Sequence, residues 1–194
     1  MGLSLSEGAL FGIMGGLTFA AKVAMAGLAN IEPVSLMVML FAVTFGHKAV
    51  YPIYVYVLME YVMFGFGLWS LNYLYIWLVL AIAAWLLRGM TNPFGWALLS
   101  GIFGLLFGAL CAPVDLLVGG WSYAVTKWVS GIPFDAAHCV GNFVMALLLF
   151  VPLRKVLERL YRGIHRPGPL GAGPEKPAEQ PEQNSRREED SDND

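Results

Sequence analysis

The chain has 194 residues, of which 57% are hydrophobic and only 13% charged, with a formal net charge of −2 and a mean hydropathy of +0.62. Soluble domains carry about 25% charged residues, so this composition excludes an ordinary soluble domain and points to an all-α integral membrane protein. Nor does it offer the basic surface that a nucleic-acid partner would need.

The charge is unevenly divided. Residues 1–166 hold nine Lys/Arg against six Asp/Glu, whereas residues 167–194 hold three against eight. The acidic stretch is rich in Pro, Gly, Glu and Gln and has almost nothing with which to build a core, so it is expected to be a disordered tail without chemistry of its own. The two cysteines, Cys111 and Cys139, are too few for a disulfide scaffold and lie in or beside apolar segments, where packing is their expected role. Residues 1–7 contain no Lys or Arg, and the apolar run that follows is too long for a signal core, so no secretory signal is expected.

Apolar runs and their breaks predict six membrane spans, at about 8–29, 33–47, 50–66, 73–88, 94–113 and 135–156. Each approaches the roughly 20 residues that a bilayer requires, the second and third being short. In the first span small residues recur every four positions, at Gly8, Gly12, Gly16, Ala20 and Ala24. On a helix such spacing forms one smooth groove, against which another helix backbone can pack closely. The groove serves either this protein's own helices or a partner. Lys22 lies beside it, and either snorkels to the surface or marks a pathway, a pair or a ligand.

Asn30 to Pro33 ends the first helix and places a proline at the start of the next. Gly46, His47 and Lys48 form a tight reversal, and Asn92-Pro93 opens the fifth span. Glu60 sits mid-span, where a carboxylate must be paired or protonated; Lys22 is a possible partner. The stretch 114–134 is long enough for a seventh span, but that would carry the basic cluster at 154–166 outside. With both termini in the cytoplasm, His47, Lys48, Arg88 and the 154–166 cluster fall inside, and Lys127 alone falls outside. The stretch is therefore expected to be an outward loop containing at most a short helix. Residues 154–166 continue the last helix into the cytoplasm.

Most unusual polar and aromatic residues gather on the outward half: Asn30 and Glu32; Trp69, Asn72 and Tyr73; Asp115, Trp121, Tyr123, Lys127 and Trp128; then Asp135, His138, Cys139 and Asn142. Asp135, His138 and Asn142 fall at i, i+3 and i+7 and share one helix face. Aromatic walls with a few converging polar groups suit a small-molecule pocket. Interfacial aromatic belts produce a similar pattern, and Asp135 is also placed to cap its helix. No spacing resembles a metal motif, no nucleophile–base pair has workable geometry, and no Walker loop or dinucleotide fingerprint is present. No metal, cofactor or catalytic residue is therefore expected, and any ATPase must be a separate chain.

Over about residues 8–160 the chain resembles the substrate-binding (S) components of energy-coupling factor transporters. The resemblance rests on the six-span pattern, on Ala20-Ala21-Lys22-Val23-Ala24, on the string from Asn30 to Gly46 and on the string from Gly131 to Asn142. It implies a bacterial plasma-membrane subunit that binds a vitamin or similar micronutrient in its outward half. It also implies docking on a coupling module of one transmembrane subunit and two ATPases. The docking role falls on Ala20 and Ala24; Gly12 and Gly16 extend that face by geometry. Metal-transporting relatives use an N-terminal histidine, and the opening Met1-Gly2-Leu3-Ser4 argues against nickel or cobalt. Within this frame Glu32, Lys127, Asp135, His138 and Asn142 are expected to bracket a small zwitterionic or heteroaromatic ligand, with Trp69, Asn72 and Trp121 as neighbours. The rival readings are an intramembrane enzyme using Glu60, Asp135 or His138, and a structural or assembly protein.

Overall fold

The computed structural model describes residues 2–27 and 31–165, so Asn30 and the acidic tail at 167–194 lie outside the described residues. Every regular element among the described residues is helical. Three helical runs, Val34–Phe64, Leu68–Leu86 and Pro93–Ile164, are long and apolar enough to cross a membrane. Large apolar side chains such as Val62, Leu86, Leu117, Val140 and Leu148 remain exposed on the outside. A lipid-facing surface accounts for an apolar exterior of that extent.

Helix α1 (Leu5–Ala24) begins with a capping box. Ser4 Oγ accepts from the Glu7 backbone N–H, and the Glu7 carboxylate accepts from the Ser4 N–H, each at 3.1 Å. Phe11, Met14, Gly15, Thr18 and Phe19 face inward. Gly15 makes the close approach: a Cβ there would lie 2.6 Å from Val55 Cβ and 2.8 Å from the Pro52 carbonyl oxygen. The four-residue stripe lies elsewhere. Gly8, Gly12, Ala20 and Ala24 are exposed and Gly16 is half-buried, so the groove faces outward and the internal seam of α1 runs through Gly15.

Helix α2 (Val34–Phe45) is buried over most of its circumference and packs on neighbours to all sides, which suits its almost uniformly apolar sequence. Gly46, at φ +59°, turns the chain into a 3-10 segment (Gly46–Ala49), and α3 (Val50–Phe64) follows. A second positive-φ glycine, Gly65, ends α3 ahead of the short α4 (Leu68–Tyr73) and of α5 (Ile76–Leu86). At one end of the bundle Glu7 Oε1 takes hydrogen bonds from Lys48 Nζ at 2.5 Å and from Tyr161 Oη at 3.1 Å. That node joins the start of α1, the 3-10 turn and the last helix.

The chain closes with a helical hairpin. Helix α6 (Pro93–Leu105) starts with Asn92 as its cap and Pro93 in the first turn. After a brief break at Leu106 it continues into α7 (Phe107–Ile164), which is interrupted at Gly120 (φ +74°). The rising arm, α6 plus 107–119, lies antiparallel to 121–164. Trp96 stacks on Phe150 at 4.4 Å, Gly104 meets the His138 backbone, and Asp115 pairs with Lys127. Residues 114–134 are thus helical apart from Gly120, where a loop was expected. Pro113 and Pro133 lie within the helices and do not end them.

The two kinds of glycine on α1 predict opposite outcomes. Gly15→Ala pushes a methyl group into Val55 and the Pro52 carbonyl and is expected to cost about 1–3 kcal/mol. Gly12→Ala meets open space and gains about 0.5–1 kcal/mol of helix propensity. Thermal unfolding of the purified protein in detergent reads both.

Candidate binding site

A cavity of about 390 Å³ opens between α4 and the two arms of α7, lined among others by Trp69, Asn72, Cys111, Asp115, Lys127 and Trp128. Its size lies within the range of small-molecule sites. Lys127 Nζ sits 2.6 Å from Asp115 Oδ1, bracing one arm against the other, and 5.5 Å from the centre of the Tyr123 ring. Asn72 is buried, its Oδ1 lying 3.2 Å from Tyr75 Oη; that hydroxyl also donates to the Leu110 carbonyl. Three of the expected site residues, Trp69, Asn72 and Lys127, therefore meet at one cavity.

The others are placed differently. Trp121 is 73% exposed near the hairpin tip and borders a separate apolar cavity of about 380 Å³ with Leu116, Ala124 and Trp128. Asp135 does not cap its own helix, which runs on unbroken past it. It is buried and accepts from the Gly108 N–H with both carboxylate oxygens, at 3.1 and 3.2 Å, capping the opposite arm just after the break at Leu106. His138 lies one turn on, half-buried, its ring 5.3 Å from that of Phe107. Asn142 is buried and donates to Ser35 Oγ at 3.1 Å, while its own Oδ1 has no partner. The shared face of Asp135, His138 and Asn142 holds the hairpin together and reaches α2. Glu32 is half-buried and lies near Lys22. Burial raises its carboxyl above the usual carboxylate range and the Lys22 ammonium opposes that shift.

The second polar centre lies deeper. Lys22 Nζ is 2.8 Å from Glu60 Oε2 and 3.4 Å from Tyr73 Oη, and it stands 5.4 Å from the centre of the Tyr73 ring and 6.0 Å from that of Tyr56. Glu60 is 2% exposed, and its second oxygen, Oε1, has no partner. Tyr56 and Trp77 are also buried, and Trp77 meets Tyr56 and Tyr73 edge-on at 5.9 and 5.3 Å. The Tyr56 ring stacks on that of Tyr73, their centres 6.4 Å apart. Trp69, which lines the open cavity, packs edge-on against Tyr73 at 5.2 Å, so the aromatic cluster around the ion pair reaches the cavity wall. Tyr56 and Trp77 were not among the expected site residues. The signal was present: Tyr56 stands one helical turn before Glu60, and Trp77 one turn's spacing after Tyr73.

No protein-family model, curated protein or solved structure matches the chain. Among the described residues no group of three or more His, Cys, Asp or Glu is arranged to hold a metal ion.

The Lys22–Glu60 pair makes a rescue prediction. Lys22→Met leaves a buried carboxylate uncompensated and is expected to cost about 3–5 kcal/mol. Adding Glu60→Gln should restore most of that loss, because the unpaired charge is then gone. Unfolding of the single and double variants in detergent measures the difference; a double variant no more stable than the single one contradicts the pairing.

Proposed function

We propose that the chain is the substrate-binding membrane subunit of an ATP-driven uptake system, taking a vitamin-like micronutrient from the outer side. Docking would be on a transmembrane coupling subunit that works with two ATPases. The observation that carries this reading is the outward stripe on α1. Gly8, Gly12, Ala20 and Ala24 are exposed, and Cβ atoms added at Gly8 and Gly12 would meet nothing within 4 Å. A helix that already packs internally through Gly15 has no internal use for a second smooth face. Such a face suits close approach of another membrane helix. The resemblance to S components assigns Ala20 and Ala24 that role.

The cavity beside Trp69, Asn72 and Lys127, with the aromatic cluster reaching its wall, supports binding of a small molecule. The reading takes the chain as six spans with both termini in the cytoplasm of a bacterial cell, the arrangement that keeps Arg154, Lys155, Arg159 and Arg162 inside. The hairpin tip at Gly120 and the Asp115–Lys127 brace then face outward.

Bulk in the stripe tests the reading. Ala20→Trp or Ala24→Trp should abolish co-purification with the coupling subunit and substrate uptake, while ligand binding by the isolated protein stays within about twofold, since Ala20 and Ala24 are exposed and away from the cavity. Uptake at the wild-type rate in both variants would remove the docking role from α1.

A further inference from the structure

Two buried side chains bring unused polar atoms to the same cavity. Asn72 and Asp115 both line the space of about 390 Å³ beside α4, and they are only 5% and 3% exposed. Asn72 engages Tyr75 through Oδ1, and its Nδ2 has no hydrogen-bond partner among the described residues. Asp115 engages Lys127 through Oδ1 at 2.6 Å, and its Oδ2 has none among them either. Lys127 is half-exposed on the same wall, and its ammonium has donors beyond the one that Asp115 takes. Buried polar atoms normally carry a hydrogen bond, so this lining offers donors and an acceptor to a ligand.

Charge and shape narrow the class. Lys127 and Asp115 are the charged residues of the lining and cancel each other, so an anion would meet the buried carboxylate and a cation the ammonium. Trp69, Trp128 and Phe134 supply aromatic wall, which suits a flat ring. Such a ring must offer acceptors to Lys127 Nζ and Asn72 Nδ2, and an N–H or O–H to Asp115 Oδ2. A cyclic imide does all three, because its N–H stands between two carbonyl oxygens.

We propose that this cavity recognises a neutral, planar ring with an imide-type edge, its N–H donating to Asp115 Oδ2 and its carbonyl oxygens accepting from Lys127 and Asn72. The proposal rests on the uptake reading and names its substrate class.

The test uses the purified full chain in detergent and four aromatic probes: phthalimide (neutral, N–H between two carbonyls), N-methylphthalimide (the same ring without the N–H), benzoate (anion) and tryptophan (zwitterion). Binding is read by isothermal titration against a detergent blank and by thermal shift at millimolar concentration. Phthalimide should bind and stabilise. N-methylphthalimide should bind about tenfold or more weakly, having lost a charge-assisted hydrogen bond, and benzoate and tryptophan should not bind. Asp115→Ala should bring the two imides to within about twofold of each other, whereas Asn72→Ala should weaken both by about five- to tenfold and keep their ratio. The wild-type comparison of the two imides needs no variant, so it decides the matter even where a variant fails to fold. Equal wild-type binding of the two imides, benzoate or tryptophan binding as tightly as phthalimide, an unchanged imide ratio in folded Asp115→Ala, or no effect of Asn72→Ala each overturns the assignment. A wild type that ignores phthalimide yet holds a different micronutrient overturns this inference alone. Failure of the α1 tryptophan variants to affect uptake overturns the uptake reading and leaves the probe results standing.

Discussion

An ion pair buried among apolar helices constrains this molecule more than any other contact. Removing an ammonium and a carboxylate from water costs several kcal/mol each, and their attraction offsets that only with good geometry. Lys22 and Glu60 have that geometry at 2.8 Å, and Gly15 lets α1 come close enough to α3 for it. A sequence selected for stability alone would fill this position with hydrocarbon, since apolar replacements of buried pairs are often neutral or stabilising. Charge retained at this depth is therefore informative about use. The free Glu60 oxygen makes the same point from the other side: the pair does not satisfy itself.

The hairpin formed by α6 and α7 supplies the geometry around that centre. Gly104 lets the two arms approach at the His138 backbone, where a Cβ would stand 2.8 Å from it, and Asp135 closes the break at Leu106 by binding the Gly108 N–H. Higher up, Asp115 and Lys127 hold the arms at the level of the open cavity. The rings of Trp69, Tyr73 and Trp77 run in contact from the wall of that cavity to the ion pair.

Much of this was legible from residues alone, and the misreadings have physical causes. Long apolar runs announced helices, and a lone lysine and a lone glutamate in two such runs were visible as possible partners. The stretch 114–134 read as a loop because a seventh span would have carried the basic cluster at 154–166 outside; a helical hairpin bent only at Gly120 is a third option, neither a full span nor a loop. Asp135 looked like a pocket group or a cap for its own helix, and it caps a helix 27 residues away, which no local pattern reveals. Trp121 lies near the hairpin tip and lines a different cavity from the one Trp69 lines. On α1 the regular stripe drew attention, whereas the glycine that decides internal packing is Gly15, whose spacing is unremarked in the sequence because its partner is Val55 on another helix.

Native mass spectrometry of the protein extracted from its own membrane tests the central claim most directly. The expected result is a discrete small-molecule adduct on the protein, as the uptake reading requires. A clean apo mass, unchanged after exposure of the protein to a panel of vitamins, would contradict it.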